Sequence, residues 1–405
     1  MRIVEITNQQ ELRKVMHDLK VDPYGIEIMA PKGKFYLVKI ENIPPAAANI
    51  LKQDMLSLGG DVAVPRDLLV GKLKKTNCLL LGNLSQIRHL INKLKRQPFG
   101  LKRQAVDLSR VINNYENNAL SYAAGTFKFN LSRRTHIMGI INLTPDSFSG
   151  DGLYSGDSSD FVDHAVRLAE KMESEGADII DIGGESSRPG AKPVSLKEEL
   201  ERTIPAIKKI SRKVKVAISI DTYKPEVALQ ALDNGAVIIN DISGLKNPQM
   251  FKAVAKYNAG VVVMHMKGKP VNMQNNPSYV SVMDEIVGYL SAATNAAREF
   301  GLKEENIAVD PGIGFGKTFE HNLEIIKHIK ELKVLGLPIL VGLSRKSFIG
   351  KILENEPKDR LHGTIASCVL ATAGGANIVR VHDVGPIKEA LKVSDAIIRQ
   401  KCGNP

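Results

Sequence analysis
The sequence predicts a (β/α)8 barrel preceded by a small α+β domain, and three observations carry that prediction. From residue 136 onward a short apolar run rich in Ile and Val recurs eight times, each followed by polar residues and usually by a helical pattern. The runs are almost continuously hydrophobic, as suits strands of a parallel sheet buried on both faces. Eight such units in roughly 250 residues match the size of a closed barrel. An open doubly wound sheet would use fewer strands and gather its ligand residues at one crevice.

In chain order, residues 1–125 break this rhythm and form the first domain. "RIVEI", "GIEIM", "FYLVKI" and "NCLLLG" read as strands, with helical patterns at about 9–20, 45–58 and 84–95 and an antiparallel element over 25–41. A basic helical stretch around 98–118 leads into "TFKFNL", a hairpin candidate for closing the lower end of the barrel. The barrel domain, 126–405, then supplies the runs "HIMGIINLT", "ADIIDIGG", "KVAISID", "VIINDIS", "GVVVMHM", "IAVDPGI", "PILVGLS" and "NIVRVHD". Segments such as "FVDHAVRLAEKMESEG" and "KPEVALQALDNG" are apolar at helical spacing and end in Gly, the usual residue after a last turn.

Composition narrows the functional classes. Residues 1–130 hold 20 Lys and Arg against 11 Asp and Glu, so most of the net charge of +11 lies there. No aromatic-rich or nucleic-acid motif accompanies it, which favours a solvated basic surface over nucleic-acid binding. No apolar stretch reaches the roughly 20 residues of a membrane helix. The first residues lack the architecture of a cleaved signal, so a cytoplasmic address is expected. Cys78, Cys368 and Cys402 are too few and scattered for a disulfide framework or a zinc cluster.

Every apolar run delivers polar residues at its C-terminal end. In order these are Asn142; Glu185 with Ser186, Ser187 and Arg188; Asp221; Asn240; His265 beside Met264; Asp310; Ser344, Arg345 and Lys346; and Arg380 with His382. One such residue is a cap or turn former. Eight of eight indicate a functional rim, because barrel strands end together at the face where active sites are built. Asp221, Asp310 and Asn240 suit a flat heterocycle with several N–H donors. Arg188, Lys346, Arg380 and His382 suit an anion such as phosphate. Asn142 offers a hard oxygen of the kind Mg2+ accepts while keeping most of its waters. "DPGIGFGK" fits either close backbone approach to a ligand or a tight turn. After Asn142, "LTPDSFSGDG" is a long polar loop with the composition of a lid.

The segments "GIINLTPDSFSGDG", "DIGGESSRPGA", "SIDT", "INDIS", "VVMHMKG", "DPGIGFGKT", "GLSRKSFIG" and "VRVHDV", in this order, closely resemble those of the dihydropteroate synthase family. The resemblance spans about residues 126–400. Residues 1–125 match nothing in the usual single-barrel enzyme. It implies a TIM barrel that joins 6-hydroxymethyl-7,8-dihydropterin diphosphate to 4-aminobenzoate in folate synthesis. It further implies a homodimeric, Mg2+-using transferase that sulfonamides target.

Position by position, the resemblance makes Asn142 the Mg2+ ligand and Asp221, Asn240, Asp310 and Lys346 the pterin pocket, with Met264 on the pterin face. Arg380 and His382, helped by Ser187, would hold the diphosphate. Arg188, Pro189, Phe315 and Ser344 would frame the aminobenzoate, and Arg188, Asp221, Lys346, Arg380 and His382 would carry the catalysis. Arg345 and Lys317 read as structural or solvated. Two departures stand out. "FSGDG" replaces the family's usual "FSDGG" and moves the acid to Asp151, and Ser186-Ser187 replaces the usual Ser-Thr. The rival activities are methyl transfer from a reduced folate to a corrinoid and non-catalytic pterin binding. Methyl transfer would not need Arg188, Lys346, Arg380 and His382 together.

Overall fold
The computed structural model describes residues 1–6, 8–68, 71–117, 119, 121–144, 158–186 and 190–399. Two compact units divide between Glu116 and Asn117. In the first, β1 (Phe35–Ile43), β2 (Asp61–Ala63) and β3 (Thr76–Asn83) form an antiparallel sheet in the order β1-β3-β2. The helices Pro45–Ser57, Leu84–Leu94 and Leu101–Glu116 bury Leu51, Met55, Ile87 and Leu101 in one core with Leu80 of β3. The expected helices are therefore present, but two expected strands are not. "GIEIM" lies in the helix Pro23–Met29, because Asp22 accepts from the backbone N–H groups of Tyr24 and Gly25 and Pro23 occupies the first turn. That Asp-Pro start signal overrides the alternation of Ile and Glu. Residues 2–6 are largely exposed and carry no strand, and β1 pairs antiparallel with β3, not within the element expected over 25–41.

The second unit begins with the hairpin β4 (Ser121–Ala124) and β5 (Phe127–Asn130). Eight parallel strands follow: β6 (His136–Asn142), β7 (Ile179–Gly183), β8 (Ala217–Asp221), β9 (Ile238–Asp241), β10 (Gly260–Met264), β11 (Ile307–Asp310), β12 (Leu340–Gly342) and β13 (Ile378–Val381). They neighbour one another in sequence, with β13 pairing β6. The ring closes where Val309 bridges Ile339 and the Val309 N–H donates to the Pro338 carbonyl at 2.8 Å. The structure is the predicted (β/α)8 barrel.

Side chains on a strand alternate between faces. Ile137, Ile180, Ile218, Ile239, Val261 and Val309 point outward into a core shared with the surrounding helices. Inward, each strand gives one residue to an apolar floor: Met138, Ile179, Ala217, Ile238, Val262, Ala308, Leu340 and Ile378. The hairpin seals that floor from below with Tyr122, Ala124, Phe129 and Leu131. Its fit is close. A Cβ on Gly260 would stand 2.5 Å from the Tyr122 hydroxyl and 2.8 Å from the Ala124 methyl, so only glycine lets β10 start there.

Candidate active site
Two residues beyond the floor, on the same inner face, the strands carry Ile140, Asp181, Ser219, Asn240, Met264, Asp310, Gly342 and Arg380. Strand period alone therefore turns an apolar floor into a chemically active layer. Arg380 organises it. Its Nε donates to Asp181 Oδ2 at 2.6 Å and its Nη2 to Asp221 Oδ2 at 2.7 Å. The same Asp181 oxygen accepts from Asn240 Nδ2 at 3.1 Å. Asp181 is fully buried and joins two expected site residues, yet it was absent from the expected set. Burial raises the Asp221 carboxyl to about 7, with Arg380 pulling it down and Asp181 pushing it up.

Asp310 is buried at the end of β11, in register with Met264 of β10. Its Oδ1 accepts from the Gly312 N–H at 2.6 Å. Burial raises this carboxyl, while the Gly312 bond and then Lys346, Lys317 and Arg380 oppose the rise. Burial pushes Lys346 down to about 8; Arg380 pushes the same way, and Asp310 and Asp221 resist. The Lys346 ammonium sits 4.4 Å from the Phe315 ring centroid, in cation–π range. Met264 and Phe315 belong to one apolar cluster with Ile242, Met266 and Met273, and Tyr223 packs against it. A flat ring could lie on that cluster with its polar edge toward Asp310 and Asn240.

The glycines of "DPGIGFGK" serve packing. Gly312 has φ +68°, and a Cβ there would lie 1.9 Å from the His265 carbonyl oxygen. The loop after β11 is thus pressed onto the end of β10, and the tight-turn reading of this motif is sufficient. His382 and Ser344 meet at the rim, with His382 Nδ1 3.0 Å from Ser344 Oγ. Arg345 is structural. It takes φ +57° and forks onto Asp383 at 3.1 and 2.6 Å. Lys317 is not solvated: it is 2 % exposed. Ser187, Arg188, Pro189 and Asp151 lie outside the described residues, as does the greater part of the loop after Thr144.

Glu185, a strand-tip residue with no role in the expected site, anchors the start of the loop after β7. It accepts from the Tyr223 hydroxyl at 3.0 Å and pairs with Lys224, which also binds Glu199. Asn142 is half-buried at the end of β6 and presents an amide. Among the described residues no group of three His, Cys, Asp or Glu side chains could hold a metal.

The family profile described as "Pterin binding enzyme" matches residues 138–382. A dihydropteroate synthase of Synechocystis sp. is 48% identical over 277 residues, covering 68% of this chain and 94% of that one. A probable bifunctional folylpolyglutamate synthase/dihydropteroate synthase of Halobacterium salinarum is 38% identical over 393 residues. That alignment takes in 97% of this chain, N-terminal unit included, and 46% of the relative. The crystal structure of Yersinia pestis dihydropteroate synthase with a sulfonamide drug superposes with a TM-score of 0.64 at 40% identity, over 68% of this chain and 98% of that one. With its floor, acid-lined inner layer and rim in the same order as the motifs, the chain belongs to the dihydropteroate synthase family of pterin binding transferases.

Proposed function
We propose that this chain condenses 6-hydroxymethyl-7,8-dihydropterin diphosphate with 4-aminobenzoate, releasing diphosphate and forming 7,8-dihydropteroate. One observation carries the reading: a buried carboxylate, Asp310, ends β11 in register with Met264 of the Met264–Phe315 cluster, over whose Phe315 ring the Lys346 ammonium sits. That combination offers an acceptor for the donor edge of a pterin, a surface for its face and a donor for its carbonyl. Asn240 and Asp221 extend the polar edge. The rim above them holds Arg380, His382 and Ser344, suited to the diphosphate and the aminobenzoate carboxylate; the family resemblance adds Ser187 for the diphosphate and Arg188 and Pro189 for the aminobenzoate.

Loss of diphosphate from an electron-rich dihydropterin leaves a delocalised cation, so the chain's task is electrostatic. Asp221 and Asp310 stabilise positive charge on the ring, and Arg380 and His382 draw off the leaving anion. The aminobenzoate amine attacks the exocyclic methylene carbon, forming the C–N bond as the C–O bond to diphosphate breaks or after it has broken. The amine proton leaves to solvent or diphosphate, so no strong base is needed. Asn142 would hold Mg2+ through its amide oxygen, and the ion supplies charge neutralisation at the diphosphate when bound.

A homodimer in the cytoplasm completes the proposal. Ile352, Leu370, Val393 and Ile397 are each more than half exposed on three neighbouring helices, an apolar surface suited to a second copy. No described helix is long and apolar enough to cross a membrane. The test is diphosphate release and dihydropteroate formation, measured with and without 4-aminobenzoate. Pterin binding without product, or methyl transfer from a reduced folate, would refute the assignment.

A further inference from the structure
Lys224 stands where a helix least welcomes it. It is the N-cap of the helix Pro225–Asp233, and its side chain makes no capping hydrogen bond. That position favours Ser, Thr, Asp or Asn, and the positive end of the helix dipole disfavours a cation. The side chain serves the loop after β7 instead. Its ammonium binds Glu185 at the start of that loop, the Val194 carbonyl at its end at 2.8 Å, and Glu199 on the helix Leu196–Ile210. Glu199 is 1 % exposed, and the side chains of Lys224 and Glu185 are largely buried.

One ammonium therefore ties both ends of the loop. Direct contact with two carboxylates keeps the lysine charged, and its remaining donor serves the carbonyl. Neighbours brace the same point. The Tyr223 hydroxyl donates to Glu185 Oε1 at 3.0 Å, the Thr222 hydroxyl to Glu199 Oε1 at 2.6 Å, and Arg202 Nη1 to the Gly184 carbonyl at 2.8 Å. The same short segment starts at Asp221, which pairs with Arg380, and its Tyr223 packs on the Met264–Phe315 cluster. It thus reaches the inner layer at one end and the loop at the other. Without the ammonium, Glu185 and Glu199 would face each other as buried like charges, and the start of the loop would have to move.

We propose that Lys224 is a positioning residue for the second substrate: by clamping Glu185 and Val194 it sets the span of the loop whose sequence carries Ser187, Arg188 and Pro189, and with it the aminobenzoate side of the site. This rests on the assignment of Arg188 and Pro189 to aminobenzoate. The first substrate has other holders. Asp221, Asp310 and Asn240 belong to β8, β11 and β9, Arg380 belongs to β13 and His382 follows it directly. Loosening the loop should therefore separate the two substrates, sparing the pterin diphosphate and penalising aminobenzoate.

The experiment compares the full-length wild type with Lys224→Met, Glu185→Gln and the double variant. Calorimetry reads pterin diphosphate binding without aminobenzoate, and steady-state kinetics read kcat and the KM for aminobenzoate. Lys224→Met should raise that KM and lower kcat, so that kcat/KM falls roughly 10- to 100-fold, as for a displaced binding group, while the pterin diphosphate Kd stays within about threefold. The double variant should be no worse than Lys224→Met, because both changes cut the same tie. A folded Lys224→Met with an unchanged aminobenzoate KM overturns the proposal. So do equal losses for both substrates, the mark of a merely structural lysine, and so do additive losses in the double variant. Should Lys224→Met fail to fold, Glu185→Gln decides, since it keeps the shape and loses the charge: a raised aminobenzoate KM supports the clamp, and an unchanged one overturns it. A wild type that forms no dihydropteroate overturns the parent assignment, whereas an active wild type matched by its variants overturns this inference alone.

Discussion

Asp310→Asn separates reading of the ring from every other contribution of the barrel. In the wild type Asp310 Oδ1 is committed to the Gly312 N–H at 2.6 Å, so the other oxygen is the one left for a ligand. An amide at this position keeps its oxygen on Gly312, since the alternative puts an N–H against an N–H. Its NH2 must then point where the pterin donors arrive. The substitution thus removes charge-assisted hydrogen bonding and sets donors against donors, on the order of 2–4 kcal/mol. That corresponds to a roughly 30- to 1,000-fold weaker Kd. Calorimetry with 6-hydroxymethylpterin, which lacks the diphosphate, measures it without help from the phosphate side. Stability gives an internal control. Burial raises the Asp310 carboxyl, so its ionised form is penalised in the fold above that raised value, and a neutral Asn escapes the penalty. The Tm near neutrality should therefore hold or rise while binding collapses. A Kd within about threefold of wild type would show that Asp310 does not read the ring.

Three further outcomes are expected. Arg188→Ala should leave pterin diphosphate affinity within a few fold while kcat and aminobenzoate binding fall together by about 10²-fold, as for loss of a catalytic electrostatic contact; equal losses in both substrates would place Arg188 in the first-substrate site. A chain beginning at Asn117, where the second unit starts, should keep turnover, because every described site residue lies in that unit; a folded, pterin-binding but inactive product would implicate the N-terminal unit in the chemistry. The pH dependence of kcat/KM for the pterin diphosphate should fall on the alkaline side near pH 8, because Lys346, lowered to about 8, loses its charge as pH rises through that value. Lys346→Arg should move that alkaline limb upward or abolish it, and an unchanged limb would assign the loss to another group.

The barrel was legible because burial on both faces writes eight near-continuous apolar runs, and nothing else in this chain repeats so often. The rim residues were legible because a strand end is where an apolar run must stop. Asp181 was missed for the same reason: it sits inside "DIIDIG", where a polar residue reads as an interruption of the run. Counting by two from the floor residue Ile179 reaches it at once, but which residue forms the floor is known only when the sheet has closed. For Lys317 the sequence left structural and solvated readings open, because a charged residue after a glycine loop ordinarily faces water. Its burial depends on Gly312 and Gly316 letting that loop settle on the end of β10. In the N-terminal unit, the alternation in "GIEIM" misled because Asp22 and Pro23, just outside the window, start a helix.

The sealed floor imposes traffic rules on the reaction. With Tyr122, Ala124, Phe129 and Leu131 filling the lower end, the described residues leave the rim end as the approach to the inner layer, for substrates and products alike. Whatever binds against Asp310 and Met264 lies deepest, so it must enter first, and a molecule seated at the rim stands in its exit path. Aminobenzoate arriving before the pterin would obstruct that approach. An occupant of the rim that cannot react, by contrast, would lock the deeper ligand behind it and lengthen its residence. Pulse–chase trapping of labelled pterin diphosphate by added aminobenzoate would read this one-way queue directly.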